Sequence, residues 1–479
     1  MIVPFLFNLD EYSKEKPTHM VCANKSLDFC LKNKVPFIAQ ERFVKNPSYY
    51  IERNHSAFTE KNQKDFQYKI LSDKEFNSID IEVITKNDEK KIVSKYKNIR
   101  EACNQLLVEE NNDFESIIES KILNIEKKYK EKIEAIIAWF SYPSLLKVAK
   151  KHNIKVINYE SSTIRPGKYR DYLFYFSFGS KYNNINVWED FKKFKDNSKS
   201  YLMLNKKELI SLFINDEHIP FINETDKNPD YEVGVALGLK KDCFVKAFDK
   251  YDYNTILKKL EKIVSPQKIS VRSHPAMPID EKKYDYSFDH SFESIEWITK
   301  CKSIVCQVSN IGYEAILFDR GIISTNANMV TSFGKESSLE YYDPTYYGIK
   351  EVNFLTFAYY VPLELCFDIN YIRYRLKEKN IMNVYEYNIN YILKKYGIDL
   401  KKLQKMNLKE RFISILNTHN ISEEEKQKII RDAFEVNRYN ELDREKDKLI
   451  ICKEEQLNLI KNSKGWKLLE RLRKIKPGN

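Results

Sequence analysis

Between Lys268 and Asn326 the chain twice runs a short apolar segment straight into a knot of polar residues: KISVRSHPAMP, then, after an acidic and aromatic spacer, SIVCQVSNIGYEAILFDRGIISTN. The two runs are too short for helices and rich in β-branched residues. They predict strands over 269–272 and 303–307, a helix over 311–318 and a further strand over 321–325. That rhythm restricts the fold to parallel α/β architectures, because parallel strands need a crossover and a helix is the usual one. In open sheets of this kind ligands sit beyond the carboxyl ends of the strands. Arg272, Ser273, His274 and Pro275 close the first strand, and Ser309 and Asn310 follow the second, so all six are expected to share one crevice.

The same rhythm recurs upstream in EAIIAWFSYPSLLKVAKKHNIKVINYE, which predicts a strand over 135–140, a helix over 143–151 entered at Pro143, and a parallel strand over 154–159. This last strand runs into a polar turn from Glu160 to Gly167. Earlier strands are predicted over 2–7, 35–39 and 79–84, with helices over 24–32, 96–107 and 113–132. A stretch rich in Asn, Lys and Asp follows, with a helix over 206–213. Strands and helices then alternate again from 233. Past 330 the pattern turns to aromatic-rich helices around 354–376 and 385–396, and from 408 to charged amphipathic helices. The expected architecture is α/β, with two Rossmann-like domains facing each other and a helical C-terminal extension. Its expected divisions are 1–180, a connector 181–230, a second domain 231–350, helices over 351–407 packing on both, and a tail 408–479.

With 479 residues and 42% hydrophobic content the chain can fill two cores. The net charge of +11 is spread over many lysines, which suits an anionic ligand but supplies no basic stripe with interleaved aromatics, so nucleic acid is not expected as a partner. The eight cysteines show no CxxC pair, and no Cys/His spacing points to a metal. No signal peptide and no membrane span is expected, and the cytoplasm is the expected location. The final SKGWKLLERLRK places Trp466, Leu468, Leu469 and Leu472 at helical spacing among basic residues. It predicts a peripheral contact with the cytoplasmic face of the inner membrane, or packing on the protein body.

His274 and Arg272 at a strand end are donors suited to a phosphate, and Ser309-Asn310 at a helix start adds unpaired backbone N–H groups. Each also has an ordinary reading, as a loop histidine or a helix cap. Glu314, one turn into the helix, is a candidate to accept from ribose or sugar hydroxyls, a solvated helix glutamate being its ordinary reading. No GxGxxG, GxxxxGK[ST] or DxD pattern accompanies these residues, so the expectation is a nucleotide-phosphate site without a metal or other cofactor, used for group transfer. Glu160 is the candidate base for an acceptor hydroxyl. Arg165 and Arg170 are candidates to hold an anionic substrate, with Asp171 as a second carboxylate; an ion pair closing the turn is the competing reading.

These residues resemble the bacterial GT-B glycosyltransferases of capsule and lipopolysaccharide assembly, in particular the HP-motif group of sialyltransferases and Kdo transferases that use CMP-activated sugars. The resemblance rests on His274-Pro275, on Ser309 within CQVSNIGYEA, on GYEAILFDRGIIS, on NYESSTIRPGKY and on the terminal SKGWKLLERLRK. It implies a GT-B-like fold and a metal-independent, inverting transfer of a sugar from a nucleotide donor to a surface polysaccharide or glycolipid. In that reading His274 and Ser309 lie on the nucleotide and Glu160 on the acceptor. The chain departs from the sialyltransferase D/E-D/E-G motif, since Glu160 is followed by Ser161 and Ser162. A UDP-sugar donor therefore stays open, as does a non-catalytic glycan- or lipid-binding scaffold.

Overall fold

The computed structural model describes residues 1–9, 17–180, 185–197, 201–226, 228–238, 243–249, 251–274, 279–307, 309, 311–325, 339 and 341–434. The chain divides into two units, 1–419 and 420–479. In the second, a helix over 423–434 begins at Ser422, whose Oγ accepts from the Glu425 N–H at 3.2 Å. The expected Trp466 helix, Pro275 and Asn310 lie outside the described residues.

The first unit contains two sheets. Strands β1 (Ile2–Leu6), β2 (Phe37–Gln40), β3 (Ile81–Ile84), β4 (Ala135–Ala138), β5 (Lys155–Ser161) and β6 (Leu173–Phe178) belong to the first. Strands β7 (Tyr231–Ala236), β8 (Ile269–Arg272), β9 (Ser287–Phe288), β10 (Cys301–Cys306) and β11 (Gly321–Ser324) form the second, and β12 (Tyr360–Pro362) returns to the first. The sheet orders are β12-β6-β5-β4-β1-β2-β3 and β11-β10-β7-β8-β9. Strands β1 to β5 pair in parallel, as do β7 to β11. The five parallel strands of each sheet thus repeat one doubly wound order: the first strand is central, the next two go to one side and the other two to the opposite side, where β6 and β12 extend the first sheet. The order reverses between β1 and β4 and between β7 and β10, and in open sheets of this kind such switch points are where ligands bind, beyond the carboxyl ends.

Burial explains the apolar runs. AIIA of β4 and IVPFL of β1 are buried at every position, as strands covered on both faces must be. Helices are started by local chemistry: Asn111 accepts from the Phe114 N–H at 2.9 Å to cap Asn112–Tyr129, and Pro143 opens Pro143–Lys151. In the second sheet Gly234 of β7 leaves room for Trp297, Cys301 and Ile304, atoms of which would lie 2.7–2.8 Å from any Cβ there.

Three expectations are corrected. The strand expected over 135–140 ends at Ala138, so Trp139 and Phe140 lie past the carboxyl end. The strand expected over 154–159 continues through Glu160 to Ser161, because β6 pairs antiparallel with it, Glu160 opposite Tyr175. The stretch expected as helices around 354–376 includes β12, antiparallel to β6 at the sheet edge, where Pro362 can sit without an N–H to offer. Among the described residues no helix is long and apolar enough to cross a membrane.

Candidate active site

At the switch point of the first sheet the Tyr142 hydroxyl donates to the Phe7 carbonyl at 3.0 Å, tying the chain beyond β4 to that beyond β1. Around this tie gathers a polar and aromatic group. The Asn8 amide lies 3.1 Å from His19 Nε2, and the His19 ring meets Trp139 edge-on at 6.0 Å. Trp139 Nε1 donates to Glu160 Oε2 at 3.0 Å, while Glu160 Oε1 accepts from the Ser161 N–H at 3.0 Å. The half-buried Glu160 carboxylate thus accepts at both oxygens, from the Trp139 ring N–H and from the Ser161 backbone. Ser161 continues the cluster, its hydroxyl 2.7 Å from that of Tyr172.

In the second sheet Gln307 occupies the switch point. Its Oε1 accepts from the Gly238 N–H at 2.9 Å, and its Nε2 donates to Asp249 Oδ2 at 2.7 Å and to the Tyr251 carbonyl at 3.0 Å. Thr325, just past β11, donates to the same Asp249 oxygen at 3.1 Å. Ser273 and His274 follow β8 and are half-buried. Ser309 accepts from the Ile311 N–H at 3.3 Å, capping a helix of seven residues, Ile311–Leu317.

Several of the expected site residues are engaged by other groups of the protein. Arg272 braces a loop: Nη1 is paired with Asp289 and donates to Ser291 O at 3.1 Å and Oγ at 3.0 Å, and Nη2 donates to the Phe292 carbonyl at 3.3 Å. The loop so held presents the Phe292 ring 94% exposed. Glu314, expected to meet a ribose or sugar hydroxyl, is wholly buried, accepting from Lys168 at 2.7 Å, Tyr169 at 2.6 Å and Ser294 at 2.8 Å. Burial first, and then the Glu314 charge, push the Tyr169 hydroxyl well above its ordinary pKa. Arg170 donates to Thr418 Oγ1 at 2.8 Å and the Leu212 carbonyl at 2.5 Å, and lies 4.2 Å over the Tyr396 ring. Asp171, 2% exposed, accepts from Lys395 and Tyr396, both at 2.8 Å. Both residues therefore fasten the turn to the C-terminal helices. Arg165 differs: it is exposed, and its charge acts on Tyr172, the partner of Ser161.

Sequence reasoning passed over Asn8, His19, Trp139, Gln307 and Asp249. The signal for Trp139 was the WFSYP segment, polar and aromatic residues following a strand. His19 and Asn8 carried none, because their partners, from Gln40 to Trp139, come from separate elements that only the fold brings together.

Residues 23–185, about a third of the chain, match the Glycosyltransferase 99 family N-terminal domain. That match spans β2 to β6 and contains Glu160. Among solved structures, Thermosulfurimonas dismutans KpsC, a beta Kdo 2,7 transferase, shares 14% identity at a TM-score of 0.34, over 53% of this chain and 90% of its own, a likeness too distant to bear on the site. No curated protein matches. On the family match, this chain is a glycosyltransferase.

Proposed function

We propose that the chain moves a sugar from a nucleotide-activated donor, a CMP-sugar such as Kdo or sialic acid, to a growing surface polysaccharide or glycolipid. The two α/β sheets act as the two halves of a GT-B enzyme, acceptor on the first and donor on the second. Glu160 takes the proton of the acceptor hydroxyl, whose oxygen bonds to the anomeric carbon as the bond from that carbon to the donor phosphate breaks. His274 stabilises the leaving phosphate where another enzyme would use a divalent cation. Direct displacement of this kind inverts the anomeric centre.

The observation that carries this reading is the Glu160 carboxylate, fixed at the carboxyl end of β5 by Trp139 and the Ser161 N–H. Its loop reaches the helix after Ser309, since Lys168 and Tyr169 bond Glu314. Glu160→Gln keeps the shape and removes the base. We expect a loss of turnover of about 10²–10⁴-fold with the melting temperature unchanged. Turnover near wild type with CMP- and UDP-sugar donors, products read by mass spectrometry, sinks the assignment.

A second reading of the stereochemistry has its own support. Asp249 lies at the switch point of the donor sheet, where Gln307 and Thr325 hold one of its oxygens. A carboxylate there can attack the anomeric carbon itself, and two successive displacements retain configuration. The anomer of the product, read by NMR, separates the two routes.

A further inference from the structure

Arg375 stands on the helix Ile369–Lys377 and packs over Phe176 and Phe178 of β6. It is 5% exposed and carries a charge that no protein environment removes. A buried guanidinium is normally matched by a carboxylate, because an unpaired charge out of water is costly. Among the described residues Arg375 has no such partner. Nη1 makes two long contacts, 3.2 Å to the Tyr371 hydroxyl and 3.4 Å to the Ala358 carbonyl. Nε and Nη2 make none, and neither is sealed from solvent. The guanidinium lies 4.9 Å over the Phe176 ring and 5.8 Å from that of Phe178, which holds its plane without neutralising it.

The side chain lines a cavity of about 250 Å³. Phe178 and Tyr359 offer aromatic surface there, and Asp190 and Glu378 offer carboxylates. Those carboxylates are already engaged. Asp190 accepts from the Tyr359 hydroxyl at 2.8 Å and pairs with Lys193 at 3.6 Å, and Glu378 accepts from the Asn380 N–H at 2.7 Å and the Asn383 amide at 3.0 Å. The cavity therefore asks for two things at once: an anionic group for the free edge of Arg375, and hydroxyl donors for the remaining lone pairs of two acids. A bare phosphate answers the first and is repelled by the second. A sugar bearing a carboxylate answers both, and the aromatic rings can face its C–H surface. The volume suits one ring.

We propose that this cavity binds a single carboxylate-bearing sugar unit, its carboxylate paired with Arg375. That the unit belongs to the acceptor glycan rests on the function proposed above. That the cavity takes such a sugar does not.

Calorimetry on the full chain with glucuronate, glucose and inorganic phosphate tests this. Glucuronate should bind saturably, with glucose and phosphate each at least tenfold weaker, and Arg375→Met should weaken glucuronate at least tenfold. Should that variant fail to fold, Asn186→Trp blocks the cavity from an exposed rim position and should have the same effect. Binding should persist in Glu160→Gln, which separates this cavity from the proposed active site. Tighter binding of phosphate than of glucuronate, no saturable glucuronate binding, or binding unchanged in both cavity variants overturns the proposal. Glucuronate binding at Arg375 in a chain that transfers no sugar overturns the function and leaves the cavity standing.

Discussion

Lys25 shows what one residue costs the first core. Only 7% exposed, it donates from Nζ to the Gln67 carbonyl at 2.6 Å and lies 5.3 Å over the Phe367 ring. It lines a small apolar cavity together with Trp139 and Ser161, the two residues that bond Glu160. Burial disfavours the ammonium and lowers its pKa from 10.5 to about 8. Between those values the folded protein has released a proton that the unfolded chain still holds, so the unfolded state binds more protons and stability rises with pH. At pH 7 both states are charged and the full penalty applies. Lys25→Met should therefore be more stable than wild type at pH 7 by about 2 kcal/mol, after about 1 kcal/mol is given back for the lost hydrogen bond. The advantage should shrink steadily from pH 8 to pH 10.5. Urea melts of both proteins across that range check it, and a gap that does not change with pH refutes it.

At the scale of elements, β7 is the strand on which the second sheet is built, and Gly234 is where the Trp297 helix crosses it. A methyl group there has no room, since Cys301 Sγ and Trp297 Cζ2 would stand 2.7 Å from it. Gly234→Ala should destabilise by about 1–3 kcal/mol, seen as a lower denaturation midpoint with an unchanged slope. This strand was legible in the sequence to within two residues at its start, because buried parallel strands are continuous apolar runs. β6 and β12 were not. LFYFSF is apolar or aromatic at every position but Ser177, which reads equally as strand or helix, and YVP becomes a strand because an edge of β6 is there to receive it. The strand-end position of Glu160 was legible for the same reason as β7, one residue short of where β5 stops at Ser161. Glu314 was not, since its donors Lys168 and Tyr169 lie some 145 residues earlier. A carboxylate on a helix looks the same in sequence whether it meets a ribose or a lysine.

Across the whole first unit, the Glu314 contact is what joins the loop after Glu160 to the helix after Ser309. Lys168 is 12% exposed and Glu314 wholly buried. Removing one member strands a charge, so Glu314→Leu or Lys168→Met alone should each cost about 3–5 kcal/mol. Replacing both leaves no charge to strand, and an apolar pair of similar volume should recover most of that loss. The expected signature in a double-mutant cycle is a coupling of about 2 kcal/mol or more. The same cycle separates stability from function. If the contact also sets where the first sheet's loop sits against the helix Ile311–Leu317, the double variant should fold with near-wild-type stability yet transfer sugar more slowly. In that case its apparent affinity for the acceptor should fall while nucleotide binding by calorimetry is unchanged. Additive stabilities, or a double variant with full activity, show the contact to be a local packing feature with no part in aligning the two halves.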